Sequence, residues 1–327
     1  MRFRSATDSD IPAIVATFSD RNALPLEPRV RDALPTLLRQ LIASPAASFS
    51  VFEETGPAGL RVWSFAGGLF LRESVVESYL ADPAPSFVGA VLGRLLDDQR
   101  PLLTLDEIRG ANTRDGLQLA VFPMPLGQYD WNGPEVTELR KLAPQAFVRF
   151  YGGYRLRAIY YEVFTDGVAA YIQAAGYHLL HDFSGDPVAR ALGPDCRPRM
   201  LRLTRAELPP AAMSVAAQVF DSPPAQLGLT LAEQRVALRA LDGSSDRAIA
   251  ESLGLSVETV RSNWRSIYQR LGHVLGGADA PASRGDALAR GLEKRRVAIE
   301  YLRQNLHELR PSLPPAQRVN GTNPRRR

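Results

Sequence analysis

The stretch Asp246–Gly272, DRAIAESLGLSVETVRSNWRSIYQRLG, sets two short amphipathic runs on either side of a glycine and loads the second with arginines. Ser245 stands where the first run needs an N-cap, and Ile249, Ala250 and Leu253 give that run one apolar face. Gly254 supplies a tight turn, and Ser256 caps the run that follows. There, Val257, Val260, Trp264, Ile267 and Leu271 recur at helical spacing and form one stripe, which places Trp264 in a core. The opposite face carries Glu258, Arg261, Ser262, Arg265 and Gln269, long hydrogen-bonding side chains at a spacing that suits a helix lying in a major groove. Upstream, LTLAEQRVALRALDG opens on Thr230 with Glu233 three residues on, a capping box, and stops at Gly243. Three helices in so short a span predict a compact bundle.

Charge divides along the chain in the same sense. The 327 residues hold 39 Lys+Arg against 35 Asp+Glu; residues 222–327 account for 17 against 10, which leaves 22 against 25 for the rest. A basic C-terminal third points to a polyanionic partner. A chain this long with 45% hydrophobic residues is expected to form more than one domain. Its opening residues lack the apolar centre of a signal peptide, and no apolar run is long enough to cross a membrane, so a cytoplasmic protein with no membrane partner is expected. Cys196 is the single cysteine, which excludes an intrachain disulfide and any multi-cysteine metal site.

The first two thirds alternate strand and helix patterns. Strands are expected at MRFRSA, SFSVFEE, RVWSFAGGLFL, LQLAVFPM, RLRAIYYEVF and YHLLHDF, with a turn at Thr55–Gly59 between the second and third. Helices are expected from Asp8, over Arg29–Ile42, Glu73–Leu80, Pro85–Leu96, Pro134–Arg149 and Asp166–Ala175. The fold class is therefore an α/β (α+β) domain with a mixed sheet, followed by an all-α domain. Prolines at 187, 194, 198, 209, 210, 223 and 224 mark an expected linker over 187–226, into which RMLRLTRAEL could still place a short strand. The expected divisions are 1–186, the linker, 227–273 for the basic bundle, a long helix over 284–310 and a basic disordered tail over 311–327.

Leu229–Gly272 resembles the helix-turn-helix domain of LuxR-type bacterial transcription regulators. The likeness runs through Thr230, Glu233, Val236, Gly243, Ile249, Ala250, Leu253, Leu255, Ser256, Thr259, Val260, Ile267, Tyr268, Leu271 and Gly272. It implies sequence-specific binding of double-stranded DNA, with Thr259, Arg261, Ser262 and Arg265 as the contact residues. The helix beyond it sets Leu288, Leu292, Ile299, Leu302, Leu306 and Leu309 along a heptad seam interrupted by Arg295, which suggests a homodimer; packing on the chain's own N-terminal domain is the alternative.

RSATDSDIPAIVATF and AAYIQAAGYHLLHDF are similar to the first and last motifs of the GNAT acetyltransferase fold over about residues 1–185. That resemblance implies acetyl-CoA or another acyl-CoA, held by its pyrophosphate on a glycine loop at a helix N-terminus. The pattern it needs is absent from FPMPLGQYDWNGPEV, which has Gly127 and Gly133, and from Arg149–Tyr154, which has Gly152 and Gly153. Ile172 stands where the fold has its general-acid tyrosine, with Tyr171 displaced by one and expected on another face. No catalytic residue is therefore assigned. His178 and His181 lack further ligands at zinc spacing and read as structural or surface residues. Trp63, Phe65, Tyr129, Trp131, Tyr160, Tyr161 and Glu162 could line a pocket for a small-molecule effector, with core packing the alternative. Three functions remain open: a regulator sensing a ligand or partner, a regulator whose first domain only mediates assembly, and an N-acetyltransferase carrying a DNA-binding module.

Overall fold

The computed structural model describes residues 1–18, 24–56, 59–125, 130–192, 196–208, 215–220, 222–275 and 287–313. It divides into two compact units, one of Met1–Tyr151 with Arg155–Phe220 and one of Gly152–Tyr154 with Asp221–Arg327.

The first unit begins with β1 (Arg2–Ser5), α1 (Ile11–Thr17), α2 (Pro28–Ala43), β2 (Ala47–Gly56) and β3 (Gly59–Leu71). Three helices follow, α3 (Glu73–Ala81), α4 (Phe87–Leu96) and α5 (Leu105–Thr113), before β4 (Leu117–Phe122), α6 (Pro134–Tyr151), β5 (Leu156–Val163) and α7 (Asp166–Ala174). β6 (His178–Asp182), α8 (Pro187–Leu192), β7 (Arg199–Thr204) and α9 (Val215–Phe220) complete it. The strands form one mixed sheet in the order β1-β2-β3-β4-β5-β7-β6. β4 and β5 are parallel, as a pair joined through a helix can be, and every other neighbouring pair is antiparallel.

Alternation along the strands sends large side chains to both faces of the sheet. On one face Phe49, Phe65 and Phe122 meet Leu34 and Leu38 of α2 and Val91 and Leu92 of α4 in a single apolar cluster. Phe49 and Phe122 meet edge to face, ring centroids 5.4 Å apart. The other face sets Phe52 against Leu139 and Ala146 of α6.

Two expectations are corrected here. The segment 187–226 is not a plain linker: β7 lies between β5 and β6 in the sheet, and α8 and α9 flank it. The prolines border these elements rather than replacing them, since proline is tolerated at a helix start and beside a strand. The helix α5 was not expected, because Leu105–Thr113 buries only Ile108 and Gly110 and so shows little periodicity; a capping box between Thr104 and Glu107 is its clearest mark.

The second unit is helical: α10 (Leu231–Leu241), α11 (Asp246–Leu253), α12 (Val257–Val274) and α13 (Ala287–Gln304), with a short 3-10 turn over Leu306–Leu309. Thr230 and Glu233 form the capping box expected of α10, while Ser245 and Ser256 accept from Ala248 N and Thr259 N to cap α11 and α12. Gly254 ends α11 at φ 64°, the left-handed region that glycine enters without a Cβ penalty. Val236, Ala237, Ile249, Val260, Trp264, Ile267 and Leu271 share one core, so Trp264 is interior as its spacing predicts.

The last helix departs from expectation. It stops at Gln304; Ala298, Ile299 and Leu302 of the helix, with Leu306 and Leu309 of the 3-10 turn beyond it, pack into the core of their own unit, while Val297 is exposed. Arg295, the polar break in the seam, pairs with Asp246 and lies 4.9 Å over the Trp264 ring. The face expected to join two copies is thus covered from within the chain over these residues. The side chains of Leu288 and Leu292 lie outside the described residues, as does the basic tail from 314 onward. No helix among the described residues is long and apolar enough to cross a membrane.

Candidate functional site

Two places in the chain present chemistry that packing alone does not use up. The first is α12. Its stripe Val260, Trp264, Ile267 and Leu271 is buried, whereas Glu258, Thr259, Arg261, Ser262, Arg265 and Gln269 are exposed on the other side. Arg261 and Arg265 are 60% and 69% exposed, and the carboxylate near both is Glu258, at 3.6 Å and 2.8 Å. Exposed pairs of this kind are worth little in water, so either arginine is free to exchange Glu258 for an external acceptor. Thr259 has its hydroxyl 2.8 Å from that of Ser256 and its amide bonded to the same cap, which fixes the start of the helix. Behind this face Glu233 accepts a hydrogen bond from Ser266 and lies 3.5 Å from Arg270, tying α10 to α12. The four residues expected to contact DNA therefore lie together on one rigid, outward face.

The second place is a cavity of about 370 Å³ in the first unit, bounded by the ends of β4 and β5 and by α6 and α7. A parallel pair flanked by two helices leaves such a crevice where its strands stop being bridged by side chains. Of the aromatic residues expected at a pocket, Trp131 and Tyr161 line it. Phe65 and Tyr160 belong to the core of the opposite face, and Glu162 is buried on that side at the start of α4. Trp63 donates to Glu54 under the Arg61 guanidinium, and Tyr129 lies outside the described residues.

Tyr171 and Ile172 both line the cavity, which corrects the expectation that they face apart. Neighbouring helical residues are about 100° apart, and a concave wall is wide enough to take both. The Tyr171 hydroxyl donates to the Arg140 carbonyl at 3.0 Å and is thereby committed to the frame. Burial pushes Tyr161 up to about 12 and raises Tyr177 further, so both hydroxyls stay neutral.

An acyl-CoA would need its diphosphate held at the start of α6. Asp130 accepts there from Asn132 N, and the Glu135 carboxylate lies against Gly133 in the first turn. One acidic side chain in the first turn of the helix and one in the turn before it disfavour a further anion there. The other glycine pair is closed as well: the space beside Gly153 is filled by the backbone of Leu306 and His307. The described residues do not fit a CoA diphosphate. Gly127 lies outside them.

His178 and His181 sit on β6, and among the described residues no group of three or more His, Cys, Asp or Glu could hold a metal.

Glu162 takes the second of its two expected places, the core, and this has a measurable consequence. Its carboxylate is 1% exposed and accepts from Ser86 N at 2.6 Å and Phe87 N at 2.9 Å. Burial outweighs these two bonds and pushes its pKa up from 4.5 to about 7. A carboxyl that binds its proton more tightly when folded stabilises the fold fully below about pH 4.5 and loses that contribution as pH rises through about 7. The melting temperature of wild type relative to Glu162→Gln is therefore expected to fall between pH 5 and pH 8. A difference that stays constant with pH would contradict this.

No family model and no curated protein sequence matches this chain. Solved structures do. A mutant form of spermidine N-acetyltransferase SpeG from Vibrio cholerae matches at a TM-score of 0.36 and 12% identity, covering 63% of this chain and 96% of that one. Ribosomal-protein-alanine N-acetyltransferase from Brucella melitensis matches at 0.34 and 15%, covering 62% and 99%. NAA60 from Arabidopsis thaliana, in complex with acetyl-CoA, matches at 0.36 and 10%, covering 62% and 98%.

Proposed function

We propose that this chain is a sequence-specific DNA-binding regulator: α12 enters the major groove of double-stranded DNA, and the cavity of the first unit takes a small-molecule effector. The observation that carries the reading is the two-sided character of α12. One side is locked into a three-helix core, and the other offers Arg261 and Arg265 with Thr259 and Ser262 between them. A helix preceded by a short capped helix and a left-handed glycine turn is the geometry by which a recognition helix is offered to base edges. Arginine forks suit guanine edges and phosphates alike. The basic excess of residues 222–327 supports the same reading through long-range attraction.

The test is fluorescence anisotropy of the full chain with a labelled duplex at several salt concentrations. Binding should weaken steeply with salt, with a slope of roughly −0.9 on logarithmic axes for each phosphate contacted. No binding to any duplex at low salt would overturn the reading.

A second reading is an acyl-CoA-dependent N-acetyltransferase with a DNA-binding module, and the cavity beside the parallel β4–β5 pair favours it. Asp130 and Glu135 at the start of α6 weigh against it. Calorimetric titration of acetyl-CoA separates the two: micromolar binding would favour the enzyme, and its absence the regulator.

A further inference from the structure

The cavity that poorly suits a CoA diphosphate has a charge pattern of its own. Most of its wall is carbon, from Phe122, Leu139, Phe147 and Ile172 among others. The hydroxyl of Tyr171 is spent on a main-chain carbonyl, and those of Tyr161 and Tyr177 are neutral. Among the described residues of the lining one fixed charge remains, the guanidinium of Arg140, which lies 5.1 Å from the Trp131 ring centroid. Arg140 forms no ion pair among the described residues, although its neighbours Glu138 and Lys141 on α6 pair with each other at 2.6 Å. An arginine stacked on an indole is oriented and partly desolvated, which sharpens its preference for a planar anion.

An apolar cavity with a single unanswered cation selects by charge as well as by shape. A neutral ligand leaves the guanidinium without a counter-ion, and a cation is repelled. A polyanion brings more charge than one arginine offsets and meets Asp130 and Glu135 at the start of α6. A carboxylate matches the arginine fork with two parallel hydrogen bonds, and a hydrocarbon body satisfies the rest of the wall.

We propose that the cavity of the first unit binds an organic monocarboxylate with an apolar body, its carboxylate held by Arg140 beside Trp131 and its body seated against Phe122, Phe147 and Ile172. This assignment rests on reading the first unit as the effector-binding part of a DNA-binding regulator, and it names the class of effector.

The experiment is calorimetric titration of the full chain with 4-phenylbutyrate and with its uncharged amide, 4-phenylbutanamide. The acid is expected to bind about tenfold more tightly than the amide, the size of one charge-assisted pair over a neutral contact. Arg140→Gln removes the charge while keeping a hydrogen-bonding amide, and is expected to erase that preference. Ala143→Phe, which fills the cavity, is expected to lose both ligands with the circular dichroism spectrum unchanged. Equal affinity for acid and amide in wild type, no binding of the acid, or a preference that survives Arg140→Gln would overturn the proposal. The duplex titration reports independently, so a chain that binds DNA but not the acid refutes the ligand class alone, and a chain that binds the acid but no duplex refutes the regulator reading alone.

Discussion

The double variant Arg261→Ala, Arg265→Ala is expected to bind its preferred duplex at least about thirtyfold more weakly than wild type, with thermal unfolding unchanged. Each arginine that grips a guanine edge contributes about 1–3 kcal/mol of discrimination, and two such losses multiply in the binding constant. Both side chains are mostly exposed, and the partner each has is Glu258, so the helix loses little when they are removed. The core stripe behind them is untouched. Anisotropy titration and circular dichroism on the same preparations measure the two halves of the expectation. Unchanged affinity would remove α12's outer face from the DNA interface, whatever else the chain binds.

Gly153→Ala is expected to destabilise the second unit by about 2–4 kcal/mol, combining the cost of a left-handed residue with a Cβ and that of overpacking. Gly153 has φ 84°, and a Cβ there would lie 2.3 Å from His307 N and 2.5 Å from the Leu306 carbonyl carbon. These are backbone atoms and cannot turn aside as a side-chain tip can. They are held in place from several directions: Arg310 donates to Gly152 O and lies over the Tyr154 ring, and Ser222 donates to Gly153 O. Glu308, fully buried, accepts from the amides of Gln226 and Leu227. Hydrogen exchange of the amides of α10 and α12 reports the loss, and full protection in the variant would contradict it.

The sequence placed the elements better than it placed their partners. The strands expected in the first unit all exist, and RMLRLTRAEL does supply β7, because period-two runs bounded by turn residues state their own conformation. What such runs leave open is which face meets which layer. Tyr160, Tyr161 and Glu162 are consecutive on β5, and only Tyr161 reaches the cavity; alternation predicts that they divide but not on which side the cavity lies. Arg140 was invisible for a related reason. An arginine on an amphipathic helix is ordinary, and its meaning comes from its place over Trp131 with no ion pair among the described residues.

In the second unit the caps, the glycine turn and the apolar stripe of α12 are local signals, and all are present as read. The heptad seam of the last helix is different. Spacing shows that a stripe will be covered, and only the fold shows that Trp264, Asp246 and the core of the same unit cover its described part.

The measurement that bears most directly on the central claim is selection of duplexes from a random pool by the full chain, followed by sequencing of what is retained. The account predicts enrichment of a short motif containing guanines, lost when the selection is repeated with the Arg261→Ala, Arg265→Ala variant. A retained pool with no sequence preference would contradict sequence-specific reading by α12 and reduce the basic face to a generic attraction for phosphate.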